Sequence, residues 1–270
     1  MLIDYAKIKK MKYYVVADVH GFYSELITAL TEKGFFKDEN PHKLIVCGDL
    51  FDRGQEAVKL QDFIVDLMQK DEVILIRGNH EDLILKLVND YHRWMVEPVV
   101  YTAHWSNGTV GTVMQLTGMD LQEITINAKA MKMRMENTPF FKKILPAMVN
   151  YFETEHYIFV HGWISCNASG YGGVASNFSY NSEWRNADYI DWDFARWYNG
   201  IEAANQGVIE PNKTIVCGHW HCSYGHAKFE KKGEERGENA DYSPYYAKGI
   251  IALDACTVLS KKVNCIVIED

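Results

Sequence analysis

The chain has 270 residues, 47% of them hydrophobic and 24% charged. That is ample for a packed core and excludes a disordered chain, a collagen-like repeat and a disulfide-dependent miniprotein. Its 36 acidic residues against 28 basic ones give a formal charge of −8, the wrong sign for general nucleic-acid binding. No apolar run approaches the ~20 residues of a membrane helix. The first ten residues lack a secretory pattern, and six scattered cysteines read as reduced thiols. The sequence therefore predicts a cytoplasmic protein with no membrane partner.

Short apolar runs recur along the chain at 13–17, 44–47, 73–76, 157–160, 214–217, 250–253 and 263–268. Runs of this length suit strands buried on both faces. Between the early ones lie helical patterns. Phe22, Leu26, Ile27 and Leu30 share a face that stops at Gly34, and Ala57, Leu60, Phe63, Ile64, Leu67 and Met68 repeat the period. Leu83, Ile84, Leu87 and Val88 open a third helix. Alternating strands and helices predict α/β layering with a largely parallel first half, as a single domain over 1–270.

From about 89 to 152 the strand signal vanishes. This stretch, with Trp94, Trp105 and a helix start at Thr138-Pro139, predicts a mostly helical insertion capping one end of the sheet. From about 166 to 211 the chain is rich in Gly, Asn, Tyr and Trp and predicts an irregular aromatic loop. Residues 230–243 predict a solvated, charge-rich loop.

Chemistry-bearing residues cluster just after the strands. The first strand ends in Asp18-Val19-His20-Gly21, and the second in Gly48-Asp49 followed by Asp52-Arg53-Gly54. The third ends in Arg77-Gly78-Asn79-His80-Glu81, and later ones in His161-Gly162 and Gly218-His219-Trp220-His221. Any one of these alone is an ordinary turn or core residue. Together they set Asp, Asn or His beside glycine at five strand ends, where ligands of α/β sheets bind. Hard oxygen with imidazole suits a pair of divalent first-row metals.

These motifs, D-x-H-G, G-D-x-x-D-R-G, R-G-N-H-E and the downstream H-G and G-H, resemble those of the calcineurin-like metallophosphoesterases. The fit is to the branch with bacterial and phage protein phosphatases and symmetrical diadenosine tetraphosphatases. His104 to Thr109 also resembles that subgroup's W-x-x-N-G-G segment, with Thr109 in place of the second glycine. The resemblance implies a four-layer α/β/β/α sandwich. It implies two divalent or mixed-valence ions (Mn, Fe or Zn), one on Asp18 and His20, the other on Asn79, His161 and His219, bridged by Asp49. A hydroxide between the ions would attack phosphorus. His80 would be the general acid oriented by Asp52, Arg53 would bind the phosphoryl group, and Arg185 looks like a second such arginine. His221 is either a further metal ligand, since residues i and i+2 of an extended segment share a face, or a wall of the pocket. Asp254 would orient a histidine ligand.

The sequence thus predicts a metal-dependent phosphoesterase of the Ser/Thr protein phosphatase type, acting on a phosphorylated protein. A nucleotide substrate, through symmetrical dinucleoside tetraphosphate hydrolysis, is the alternative. A catalytically silent binding scaffold of the same fold is the reading from a different class.

Overall fold

Alternate residues of each central strand enter different cores, and this parity builds the layers. In the structure, a computed structural model that describes residues 10–90, 98–171 and 174–270, eleven strands are defined. They are β1 (Lys12–Val16), β2 (His42–Cys47), β3 (Val73–Ile76), β4 (Phe152–Glu153), β5 (Tyr157–Phe159), β6 (Asn167–Tyr171), β7 (Val174–Ser179), β8 (Thr214–Cys217), β9 (Tyr245–Ala247), β10 (Ile250–Ala252) and β11 (Cys265–Glu269). One sheet has the order β11-β1-β2-β3 and the other β4-β5-β8-β10-β9. The inner pairs β1/β2, β2/β3, β5/β8 and β8/β10 are parallel, and the edge strands β11, β4 and β9 run antiparallel.

Tyr14, Val16, Leu44 and Val46 face a helical core with Leu26, Leu30, Leu60 and Ile64. Their neighbours Val15, Ala17, Ile45 and Cys47 face the opposite way, onto Phe159 and Val216 of the second sheet. In that sheet Ile158, Ile215 and Cys217 turn outward to Trp163, Trp192 and Ile201. Three cores between four layers give the α/β/β/α sandwich. Among the described residues no helix is long and apolar enough to cross a membrane.

The first helix, α1 (Tyr23–Lys33), ends where Gly34 takes φ 86° and donates its N–H to Leu30 and Thr31, a left-handed cap that favours glycine. It is followed by α2 (Ala57–Gln69) and α3 (Asn79–Asn89). The helical stretch continues as α4 (Pro98–Ser106), α5 (Thr109–Thr117), α6 (Leu121–Ile126) and α7 (Ala128–Glu136), then a π-helical turn at Phe140–Ile144. It does not cap the sheet as a separate body. Val110, Val113, Ile124, Met131, Phe140 and Ile144 share one core with Leu60, Ile64 and Leu87, so it extends the outer helical layer. Residues 91–97, Trp94 among them, lie outside the described residues.

The segment expected to be irregular contains the β6–β7 hairpin and the helices α8 (Tyr189–Ala195) and α9 (Gly200–Asn205). Asp188 and Asn199 cap these helices by accepting backbone N–H bonds. The charge-rich loop is also tied down. Ser223 Oγ donates to Glu235 O at 2.7 Å, His226 Nε2 to Ser243 O at 3.0 Å, and Asn264 Nδ2 to Tyr242 O at 2.8 Å. Across the layers, Asp82 accepts from Arg77 Nε at 2.8 Å and from Arg196 Nε at 2.6 Å, with the Arg196 bond buried.

Candidate metal centre

The strand ends converge because the loops after them interlock. His20 donates its backbone N–H to Asp49 O at 2.9 Å, and Gly54 donates to His20 O at 2.8 Å. Asp18, His20, Asp49, Asp52, Arg53 and His219 all sit in the left-handed region, with φ from 51° to 75°. Such strain costs of order 1–3 kcal/mol per residue and persists only where surroundings over-determine it. A Cβ on Gly78 would lie 2.1 Å from Asp49 Oδ1, and one on Gly218 would lie 2.0 Å from Asp18 Oδ2. The glycines beside the ligands thus make room for the carboxylates themselves.

Two sets of donor atoms form around one carboxylate. On one side, His20 Nε2 lies 3.9 Å from Asp18 Oδ1 and 3.8 Å from Asp49 Oδ2, with His80 Nε2 also 3.8 Å from Asp49 Oδ2. On the other, His161 Nε2 lies 3.3 Å from Asp49 Oδ1 and 2.8 Å from Asn79 Oδ1, and His219 completes the group. His20 Nδ1 donates to Phe51 O at 2.9 Å and His161 Nδ1 to Cys47 O at 2.8 Å. These outer bonds turn both Nε2 atoms inward, the arrangement metal-ligating histidines adopt.

The electrostatics are those of a cluster short of positive charge. Burial pushes the Asp18 carboxyl well above its usual range, reinforced by the charges of Asp254 and Asp49. Burial acts the same way on Asp49, but the neighbouring His161 and His80 outweigh it and hold that carboxyl well below its usual range. Burial lowers His161, yet Asp49 and Asp18 carry it up to about 10. Desolvation and the facing His161 bring the half-buried His219 down to about 3. Oxygen acceptors and inward imidazoles crowded in a dry site fit divalent cations, and this mixed set suits Mn, Fe or Zn.

His80 Nδ1 donates to Asp52 Oδ2 at 2.7 Å, with Asp52 wholly buried. Arg53 Nη1 donates to His20 Nε2 at 2.8 Å and its Nη2 to His80 Nε2 at 3.1 Å. The structure therefore brings Asp18, His20, Asp49, Asp52, Arg53, Asn79, His80, His161 and His219 together.

Two expected residues stand elsewhere, Arg185 and His221, and a third, Asp254, lies beside the cluster, within reach of the Asp18 charge, without the expected bond. Arg185 is occupied: Nε and Nη2 donate to Glu153 at 2.9 and 2.6 Å, Nη1 pairs with Glu210 at 2.9 Å, and the guanidinium lies 4.2 Å over Trp184. His221 is not in either donor set. Its Nδ1 meets Ser223 Oγ at 2.8 Å and its Nε2 lies 3.5 Å from Glu235 Oε1. The shared-face argument fails because His219 at φ 66° breaks the extended run, with Trp220 N–H turning back to Gly218 O at 2.8 Å. Asp254 bonds no histidine among the described residues and accepts the Cys256 N–H at 2.7 Å.

Glu81 and the threonines of α5 were not assigned roles from the sequence. Glu81, fully buried, accepts N–H bonds from Gly78 at 2.8 Å, Leu50 at 2.9 Å and Asp49 at 3.1 Å. It clamps the second and third strand ends, and burial raises its carboxyl to about 7. Its sequence signals were the last place in R-G-N-H-E and the third position of α3.

Residues 11–223 match the calcineurin-like phosphoesterase family. An asymmetrical bis(5'-nucleosyl)-tetraphosphatase, PrpE, of Bacillus velezensis is 28% identical over 121 residues, 43% of this chain and 46% of that protein. A symmetrical bis(5'-nucleosyl)-tetraphosphatase of Buchnera aphidicola is 37% identical over 71 residues, 26% of this chain and 24% of its own. Both alignments span less than half of the relative. Among solved structures, a cold-active protein-tyrosine phosphatase of a psychrophilic Shewanella superimposes with a TM-score of 0.52 at 16% identity, over 97% of this chain and 76% of that one. That is a likeness of fold. The family match runs from β1 past His219 and so takes in every strand end that feeds the two donor sets; the chain belongs to the calcineurin-like phosphoesterases, hydrolases acting on phosphate esters.

Proposed function

We propose that the chain hydrolyses phosphoserine- and phosphothreonine-type monoesters at a dinuclear metal centre. The observation that carries the reading is the split of Asp49, whose Oδ2 faces His20 and His80 while Oδ1 faces His161. A carboxylate between two donor sets is what a bridging ligand requires. Asp18, His20 and Asp49 would hold one ion, and Asp49, Asn79, His161 and His219 the other. Two such ions, when bound, lower the pKa of water and neutralise phosphoryl charge.

The protein's own groups do the rest. Arg53 presents a guanidinium fork at the first donor set, able to take two phosphoryl oxygens at once. His80 Nε2 accepts from Arg53 in the free site; once a phosphoryl group takes over the guanidinium, that nitrogen is free to carry the proton for the leaving oxygen while Asp52 fixes the ring through Nδ1. An acid oriented through a wholly buried carboxylate suits a basic alkoxide, which cannot depart unprotonated. That favours a serine or threonine ester over a phosphoanhydride.

Dinucleoside tetraphosphate hydrolysis is the second reading, favoured by the names of the Bacillus and Buchnera relatives. A hydrolysis panel with Mn²⁺ separates the two. Faster turnover of phosphoserine peptides than of dinucleoside tetraphosphates supports the first, and the reverse order supports the second. Bound metal with no turnover on either, or on p-nitrophenyl phosphate, leaves only a binding scaffold.

A further inference from the structure

Asp52 is the least self-supporting member of the site. Its backbone is left-handed at φ 75°, and Oδ1, although buried, has no partner among the described residues. Its orientation rests on Oδ2, which accepts from His80 Nδ1 at 2.7 Å and from Thr109 Oγ1 at 3.0 Å. A carboxylate with only the His80 bond is free to swing about its own axis with the ring it should orient. The Thr109 bond removes that freedom.

The rest of the segment reinforces the same turn. Thr112 Oγ1 accepts the Asp52 backbone N–H at 2.9 Å. Gly108, at φ 83°, comes so close to the turn that a Cβ there would lie 2.3 Å from Arg53 N. Thr109, Thr112, Asp52 and His80 are all at most 2% exposed, so water does not compete for these bonds.

We propose that Thr109 is a positioning residue for phosphate-ester hydrolysis, fixing the Asp52 carboxylate that holds the His80 imidazole toward the leaving group. The inference rests on His80 acting as general acid. It makes the first turn of α5 part of the acid's support, and ties the helical stretch after α3 to the chemistry.

The test compares Thr109→Val, Thr109→Ser and His80→Gln on a phosphoserine peptide and on p-nitrophenyl phosphate, whose leaving group needs no proton. Thr109→Val is expected to lower kcat on the peptide about 5–10-fold, the scale of one lost buried hydrogen bond, and to change kcat on the aryl ester less than about 2-fold. Thr109→Ser should stay within about 2-fold of the parent on both, because it keeps the donor. A second readout needs no turnover: the His80 Nδ1 proton resonance should be sharp in the parent and in Thr109→Ser, and broadened or lost in Thr109→Val. Equal losses on both substrates, no loss, or a Thr109→Ser variant as impaired as Thr109→Val overturns the proposal. If His80→Gln itself shows no peptide-selective loss, the general-acid reading fails and takes this inference with it. If His80→Gln shows the loss and Thr109→Val does not, only the role of Thr109 fails. Should Thr109→Val lack a cooperative melting transition, Thr109→Ala carries the same comparison without a misplaced methyl.

Discussion

The guanidinium of Arg53 spans two imidazoles, donating to His20 Nε2 at 2.8 Å and to His80 Nε2 at 3.1 Å. A guanidinium only donates, so both Nε2 atoms present lone pairs inward, one from a proposed metal ligand and one from the proposed acid. The fork therefore stands where a phosphoryl group would meet the first donor set. Arg53→Lys keeps the charge and cannot span both partners. It should reduce kcat/KM by about 1–3 kcal/mol of transition-state stabilisation, with the melting temperature little changed. Kinetics and melts on the same preparation decide it: a lower melting temperature with unchanged kcat/KM would make Arg53 a turn-stabilising residue.

Asp49 carries the two-metal assignment by itself, since its oxygens face different donor sets. Asp49→Asn removes the charge and places an amide donor against one set. Metal content by elemental analysis after gel filtration should fall at both positions, and turnover should drop by about 10²-fold or more. Asp49 Oδ1 also accepts the His80 backbone N–H at 3.0 Å, a bond the asparagine oxygen can keep. Normal metal content and turnover would reduce Asp49 to that structural bond.

The strands were legible because parallel strands buried on both faces read as continuous apolar runs, and 73–76 and 214–217 coincide with β3 and β8. The donor residues were legible for a related reason: parallel strands deliver their ends to one edge. What failed depends on partners distant in sequence or on a single backbone angle. The β6 and β7 sequences, N-A-S-G-Y and V-A-S-N-F-S, are poor in β-branched residues, so the hairpin gave no strand signal. Nothing near Arg185 announces Glu153, 32 positions upstream. Nothing in G-H-W-H states that His219 takes a positive φ and turns His221 away. Threonine hydroxyls at 109 and 112 likewise gain meaning only when α5 docks on the turn at Asp52.

Arg185 tests that lesson through stability. Its bonds to Glu153, with Lys213 Nζ 2.8 Å from the same carboxylate, hold the Glu153 carboxyl down at about 2 from an ordinary 4.5. A depressed folded-state value means the contribution is fully present above about 4.5 and is lost as the pH falls toward about 2. Melting temperature followed through that window should decline less steeply in Glu153→Gln than in the parent. Arg185→Gln should lower the melting temperature at neutral pH and leave kcat/KM intact. A fall in kcat/KM at unchanged melting temperature would restore Arg185 as a phosphate ligand.

His221 and His219 are two positions apart and should behave differently. His219 lies with Asp49 and His161 in one donor set, and its backbone N–H donates to Asp18 Oδ2 at 2.9 Å. His221 instead belongs to the support of the charge-rich loop. Ser223 Oγ–H is committed to Glu235 O at 2.7 Å, so that hydroxyl accepts from His221 Nδ1–H. The ring is thereby fixed beside Glu235, and removing it releases Ser223 and the loop segment it anchors. His221→Ala should keep the parent's metal content at both positions while 230–243 becomes more susceptible to limited proteolysis. His219→Ala should lose metal from the set with Asn79 and His161 and leave proteolysis of that loop unchanged. Equal metal loss in the two variants, with the loop no more accessible in His221→Ala, would make the second histidine a ligand and return the G-H-W-H segment to the i, i+2 arrangement.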